Sequence, residues 1–206
     1  TPALSSAASD VYKRQLLNGL ARAWGIEEHF QDLTVALDKW DKIGDEGVRK
    51  ELSERGFSGV TIDRVMQLFK LLAVPDSLDR LLGMKALFQE GDVEANEAYE
   101  ETVELMAMAK ASGVRDTQLV FDPTLARGLN YYTGAIFEVR VPDAPIGSIC
   151  GGGRYADLTG IFGWDGMSGV GISFGADRIY DVLEHFDAFP QEAMTQPEVL
   201  VVQLDE

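Results

Sequence analysis

The 206 residues predict an α+β protein, a helical half followed by part of an antiparallel sheet. Residues 16–113 place apolar side chains at helical spacing. From Asp116 onward, short apolar runs are separated by glycine. Helices followed by strands, rather than alternating with them, is the order expected of α+β architecture. A hydrophobic content of 46% is enough to build a real core.

Taken in order, residues 1–15 are small and polar and read as a leader or junction outside the main pattern. Leu16, Leu20 and Trp24 recur every fourth position, the stripe of an amphipathic helix. Ile62, Val65, Met66, Phe69, Leu72 and Ala73 follow the i, i+3, i+4, i+7 template. Leu78, Leu81, Leu82 and Phe88 repeat it after Pro75, which suits a helix start. A further helix is expected over 94–112, ended by Gly113. Strands are expected at 117–121, 133–141, 148–151 and 168–174. Ile179, Val182, Leu183 and Phe186 then mark a last helix. Residues 16–115 form a mostly helical region, and 116–190 carry the sheet. Residues 191–206 read as a linker and the first strand of a further domain, because a lone strand buries little.

Charge narrows the function classes. A formal net charge of −16 argues against non-specific nucleic-acid binding, which needs a basic footprint. Residues 116–206 hold 14 acidic residues and four cations, Arg127, Arg140, Arg154 and Arg178. Arginine forks fit carboxylate and phosphate, so arginines this sparse suit an anionic ligand; pairing with nearby carboxylates is the alternative. One cysteine and two histidines leave little for a metal centre, and none is expected. No apolar run is long enough to span a membrane.

The chemistry concentrates in Arg127-Gly128-Leu129-Asn130-Tyr131-Tyr132-Thr133-Gly134. It combines an anion clamp, a glycine turn and two aromatic walls with hydroxyl tips. If the strand begins near Tyr132, alternation puts Tyr132, Gly134, Ile136 and Glu138 on one face. Phe137, Val139 and Val141 then point toward the core. A small aromatic ligand fits over Gly134, with a tyrosine hydroxyl at its edge. Pairing of Arg127 with Asp122 is the structural alternative. The segment resembles the histidine-specific signature of histidyl-tRNA synthetases, a class II aminoacyl-tRNA synthetase family.

Cys150-Gly151-Gly152-Gly153-Arg154-Tyr155 resembles that family's second motif, with Ala156-Asp157 moving the usual carboxylate by one position. Three consecutive glycines cost conformational entropy, and close approach of a ligand to the backbone is one reason to keep them. Ser168 to Arg178 resembles class II motif 3. Arg178 stands in a helix first turn, where the dipole disfavours a cation unless an anion is also bound. Leu37 to Gly44 resembles the segment before the family's helical insertion, its charges reading as a solvated face.

The resemblance implies a partial class II synthetase-like catalytic core with a helical insertion. It implies a histidine–tRNA ligase, joining ATP, L-histidine and tRNA(His) to give histidyl-tRNA, AMP and diphosphate. Arg127 takes the catalytic role, on the histidine carboxylate and the ATP α-phosphate. Histidine binding falls on Arg127, Tyr131, Tyr132, Tyr155, Gly134 and Gly152. ATP binding falls on Arg127, Arg178, Gly171 and Gly175, with Arg154 and Glu138 in support. ATP is a substrate, accompanied by Mg2+ in the full-length enzyme, and no tightly bound cofactor is implied. The implied full-length parent is a cytoplasmic homodimer with no membrane contact. Class II motifs 1 and 2 have no counterpart here, so the chain reads as a fragment, inactive alone. The second reading is the synthetase-like regulatory subunit of ATP phosphoribosyltransferase, a paralogue that tends to lose nucleotide-binding arginines. A third is a helical interaction module carrying a degenerate sheet.

Overall fold

A computed structural model describes residues 8–125 and 132–190. Among these, five strands form one mixed sheet in the order β2-β1-β3-β4-β5. The strands are β1 (Ala8–Lys13), β2 (Leu119–Phe121), β3 (Ala135–Arg140), β4 (Cys150–Tyr155) and β5 (Gly169–Phe174). The helices are α1 (Arg14–Trp24), α2 (Phe30–Asp38), α3 (Trp40–Glu54), α4 (Gly59–Leu71), α5 (Ser77–Lys85), α6 (Val93–Ala111) and α7 (Ala176–His185). The expected α+β class is observed.

Local chemistry explains the helix ends. Ser58, Asp76 and Asp92 cap α4, α5 and α6, each side chain accepting from amides of the first turn. Arg22 of α1 grips Asp92 with two hydrogen bonds, at 2.8 and 2.9 Å, tying α1 to the start of α6. Gly113 ends α6 with φ 92°. Within α3, Gly44 breaks the helical path at φ 63°. The Leu37–Gly44 charges are not simply a solvated face. Lys39 pairs with Glu51 at 2.7 Å, and Trp40 stacks on Phe69 with centroids 5.1 Å apart.

Two expectations about the sheet need correction. It is not wholly antiparallel, since β1 and β2 run parallel. Five helices separate these strands, which leaves ample chain for the crossover a parallel pair requires. The boundary set at residue 15 also divides a continuous unit. β1 lies inside the sheet between β2 and β3, then enters α1 directly. Its Tyr12 joins Leu16, Leu17, Leu20, Phe121 and Ile136 in the main core.

The assignment of faces along β3 also changes. Ile136, expected opposite the core, is buried in it, while Phe137 is half-buried. Val139 and Val141 pack instead into a second cluster, with Ile149 and Val182 of α7. Both faces of the central strands are covered, so alternation alone does not identify one core face.

Candidate functional site

Register fixes what shares a face with Ile136. Ile136 aligns with Gly153 and Gly171, and Glu138 with Gly151 and Ser173. Tyr155 aligns with Gly169 on the same face. Tyr132, just before β3, brings its ring within 5.0 Å of the Tyr155 ring, tilted by 55°. Both rings rest on glycine. A methyl at Gly153 would stand 2.6 Å from the Tyr132 ring, and one at Gly171 would stand 3.0 Å from Tyr155.

Beside the tyrosines opens a cavity of about 300 Å³. Its wall includes Tyr132, Glu138, Gly152, Ser173, Gly175 and Arg178. Arg178, from the first turn of α7, donates at 2.7 Å to the carbonyl of Ser148 in the loop before β4. That contact anchors the helix start to the rim and partly offsets the unfavourable dipole position.

The structure therefore brings together Tyr132, Tyr155, Glu138, Gly152, Gly175 and Arg178 of the expected residues. It separates Gly134 and Arg154 from them. Gly134 lies under the Arg154 side chain, at 3.1 Å from a built methyl, and both line a second cavity with Lys13 and Gln15. An aromatic ligand lying directly over Gly134 would meet Arg154 first. The expectation of open glycines along β5 is likewise corrected, because Leu158 covers Gly169 and Tyr155 covers Gly171. Arg127 and Tyr131 lie outside the described residues.

Neighbouring groups have other roles. Asp122 bonds the amide and hydroxyl of Thr124, at 2.8 and 2.6 Å, and sits 3.5 Å from Arg140. The displaced carboxylate of Asp157 accepts from the Gly166 amide at 3.0 Å, bracing the loop between β4 and β5. Burial pushes the Cys150 thiol up, away from the thiolate a nucleophile needs. Among the described residues, no group of three or more His, Cys, Asp or Glu side chains converges to hold a metal ion. The donors present do not fit a Mg2+ site, and no step is assigned to one.

Sequence reasoning missed an ionic cluster behind the site. Asp10 of β1, aligned with Glu138, is buried and receives Arg140 Nε at 2.6 Å. Burial pushes the Asp10 carboxyl up to about 6, against the opposing pull of Arg140. A carboxyl raised in the folded state favours folding most below its unfolded pKa of 3.8, and that advantage is lost as pH rises through about 6. Asp10→Asn is expected to stabilise the protein by roughly 1–3 kcal/mol at pH 8, the gain fading to nothing below about pH 4. Urea unfolding at several pH values measures this, and a gain independent of pH would refute the assignment.

Comparison with known proteins adds the following. A family model described as histidyl-tRNA synthetase matches residues 5–179. A histidine–tRNA ligase of Phocaeicola vulgatus is 45% identical over 192 residues, 93% of this chain and 41% of the relative. The chain thus spans about two fifths of the length of such curated relatives. The crystal structure of histidyl-tRNA synthetase from Nostoc sp. PCC 7120 superposes with a TM-score of 0.77 at 29% identity, covering 90% of this chain and 43% of that one. A Bacillus halodurans structure, titled as an ATP phosphoribosyltransferase regulatory subunit/histidyl-tRNA synthetase, gives 0.69 at 24% identity, covering 88% and 44%. At that identity the likeness shows the fold alone.

Proposed function

Because the chain belongs to the histidyl-tRNA synthetase family, we propose that its site is the histidine pocket and part of the adenylate site of a histidine–tRNA ligase. The observation that carries this is the Tyr132–Tyr155 pair on its glycine floor, beside a cavity that also holds Glu138 and Arg178. An imidazole fits against tilted aromatic faces, and Glu138 supplies an acceptor for an N–H or an ammonium group. Arg178 at the rim, near the start of α7, suits the outer phosphates of ATP. Arg127, two residues beyond Leu125 of the cavity wall, takes the carboxylate and α-phosphate.

The reaction is attack of a histidine carboxylate oxygen on the α-phosphorus. The new P–O bond forms as the bond to the bridging oxygen breaks, and diphosphate leaves with the electron pair. Two anions must approach, so a fixed guanidinium lowers the barrier by offsetting their repulsion. The adenylate then passes its acyl group to tRNA(His). Mg2+ accompanies ATP in the longer parent, which works as a homodimer. The 206 residues alone do not activate histidine, because Arg127 and Arg178 form only part of a phosphate clamp. Measurable ATP–diphosphate exchange by the purified chain would overturn that point.

The pocket itself is tested by calorimetric titration of L-histidine. Tyr155→Ala is expected to weaken binding about tenfold or more, through loss of ring contact. Arg127→Ala is expected to weaken it further, by removing a charge-assisted partner. Equal affinities in wild type and both variants would place histidine elsewhere. The regulatory-subunit reading has only the fold likeness behind it, whereas Arg127 and Arg178 together favour the ligase.

A further inference from the structure

The two edges of the sheet are built differently. β2 is three residues long, and Phe121 has both backbone groups occupied: its amide donates to Ser77 Oγ at 3.1 Å and its carbonyl accepts from Arg80 at 2.7 Å. β5 has six residues and, among the described residues, pairs only with β4. It carries no lysine, proline or other charged residue, the devices that ordinarily keep an edge from pairing.

β5 also exposes its apolar side. Val170, Ile172 and Phe174 share a face and are 66%, 64% and 70% exposed. The preceding loop adds exposed Phe162, Trp164 and Met167. At roughly 100–150 Å² of surface per large apolar side chain, these six present on the order of 700 Å², close to one side of a standard stable interface. Asp165 is the only charged residue from Leu158 to Gly175, in a chain whose net charge is −16. Two copies repel least where that stretch meets itself.

We infer that this chain self-associates through β5, two copies pairing edge to edge about a two-fold axis at Ile172. The strand is self-complementary in that register. Val170 of one copy faces Phe174 of the other and Ile172 faces its own mate, so β-branched and aromatic pairs line one face. Gly171 faces Ser173 on the opposite side, where small residues leave room. The occupant is a second copy of this chain, and the two sheets join into one of ten described strands. This inference is independent of the histidine reading.

Sedimentation velocity of the full 206-residue chain, from low micromolar concentration upward, tests it. The expected result is a reversible dimer, abolished by Ile172→Lys and retained by Val93→Lys, which places the same charge at an exposed apolar position on α6. Amide exchange on the wild type gives a second measurement, unaffected by any folding defect in the variant. The β5 amides are expected to slow as concentration rises, while those of other exposed segments do not. A monomer at every concentration, open-ended oligomers, or an Ile172→Lys dimer would each overturn the proposal. So would a monomeric chain that forms a one-to-one complex with a polypeptide supplying the rest of a full-length family member.

Discussion

Gly152→Ala is expected to destabilise the protein by about 3 kcal/mol, while Gly151→Ala costs less than about 1 kcal/mol. A methyl at Gly152 would stand 2.4 Å from the Gly171 carbonyl oxygen and 3.2 Å from the Ile172 Cα. Both are backbone atoms of β5, which cannot rotate aside. The ladder between β4 and β5 must part to admit the methyl, and hydrogen bonds and packing are lost together. At Gly151 the nearest atom is the Phe137 carbonyl oxygen at 3.7 Å, an ordinary contact. Urea unfolding of the two variants, compared at equal m-value, measures the difference. Equal stabilities would show that β4 and β5 are not held this closely. Gly153→Ala is distinct again, because its methyl meets the Tyr132 ring and so is expected to disturb the pocket as well as the strand.

These glycines show where sequence reasoning succeeds and where it stops. Close backbone approach was the right physical reason for the triplet, but a neighbouring strand makes that approach at Gly152, rather than a ligand. Local propensity also ended the strand at 151, since glycine is a poor strand former, whereas pairing on both sides carries β4 to Tyr155. The motif residues themselves were legible because sequence spacing maps directly onto a hairpin face. Tyr132 and Tyr155 meet for that reason.

β1 was not legible, for an electrostatic reason. Its run Ser9-Asp10-Val11-Tyr12-Lys13 reads as a polar segment, yet Asp10 and Lys13 are both buried. Each is tolerated there through a distant partner. Asp10 meets Arg140, 130 positions away, and Lys13 pairs with Glu101 of α6. Such partners leave no periodic trace in the sequence. The Tyr12 hydroxyl is also buried, and the Leu17 amide faces it outside hydrogen-bonding geometry. Arg178 illustrates the opposite error, in which a misplaced charge suggested an anion but the structure supplies the Ser148 carbonyl as a partner.

Arg80 is the residue whose loss is expected to cost most, and nothing in its sequence context marks it. It is buried in α5, where its guanidinium donates to the carbonyls of Phe121 at 2.7 Å, Val74 at 2.8 Å and Leu72 at 3.3 Å. These belong to β2 and to the turn between α4 and α5, so one side chain joins the helical half to the sheet edge. Arg80→Met fills much of the same volume but leaves three buried carbonyls without that donor. At about 1–3 kcal/mol for each unsatisfied group, and some relaxation toward water, the expected loss is about 3–5 kcal/mol. Lysine keeps the charge but presents one compact ammonium in place of a planar fork, so Arg80→Lys is expected to recover less than half of it. The damage should not stop at stability. Phe121 leads through Asp122 and Leu125 into the segment that carries Arg127, so a loosened β2 is expected to weaken histidine binding while the Tyr132–Tyr155 pair stays intact. Denaturant unfolding, with amide exchange at 119–121, reads the first effect, and histidine titration at a temperature where the variant is folded reads the second. An Arg80→Met protein within 1 kcal/mol of wild type would mean that water replaces the guanidinium at those carbonyls and that β2 is held by its pairing with β1 alone.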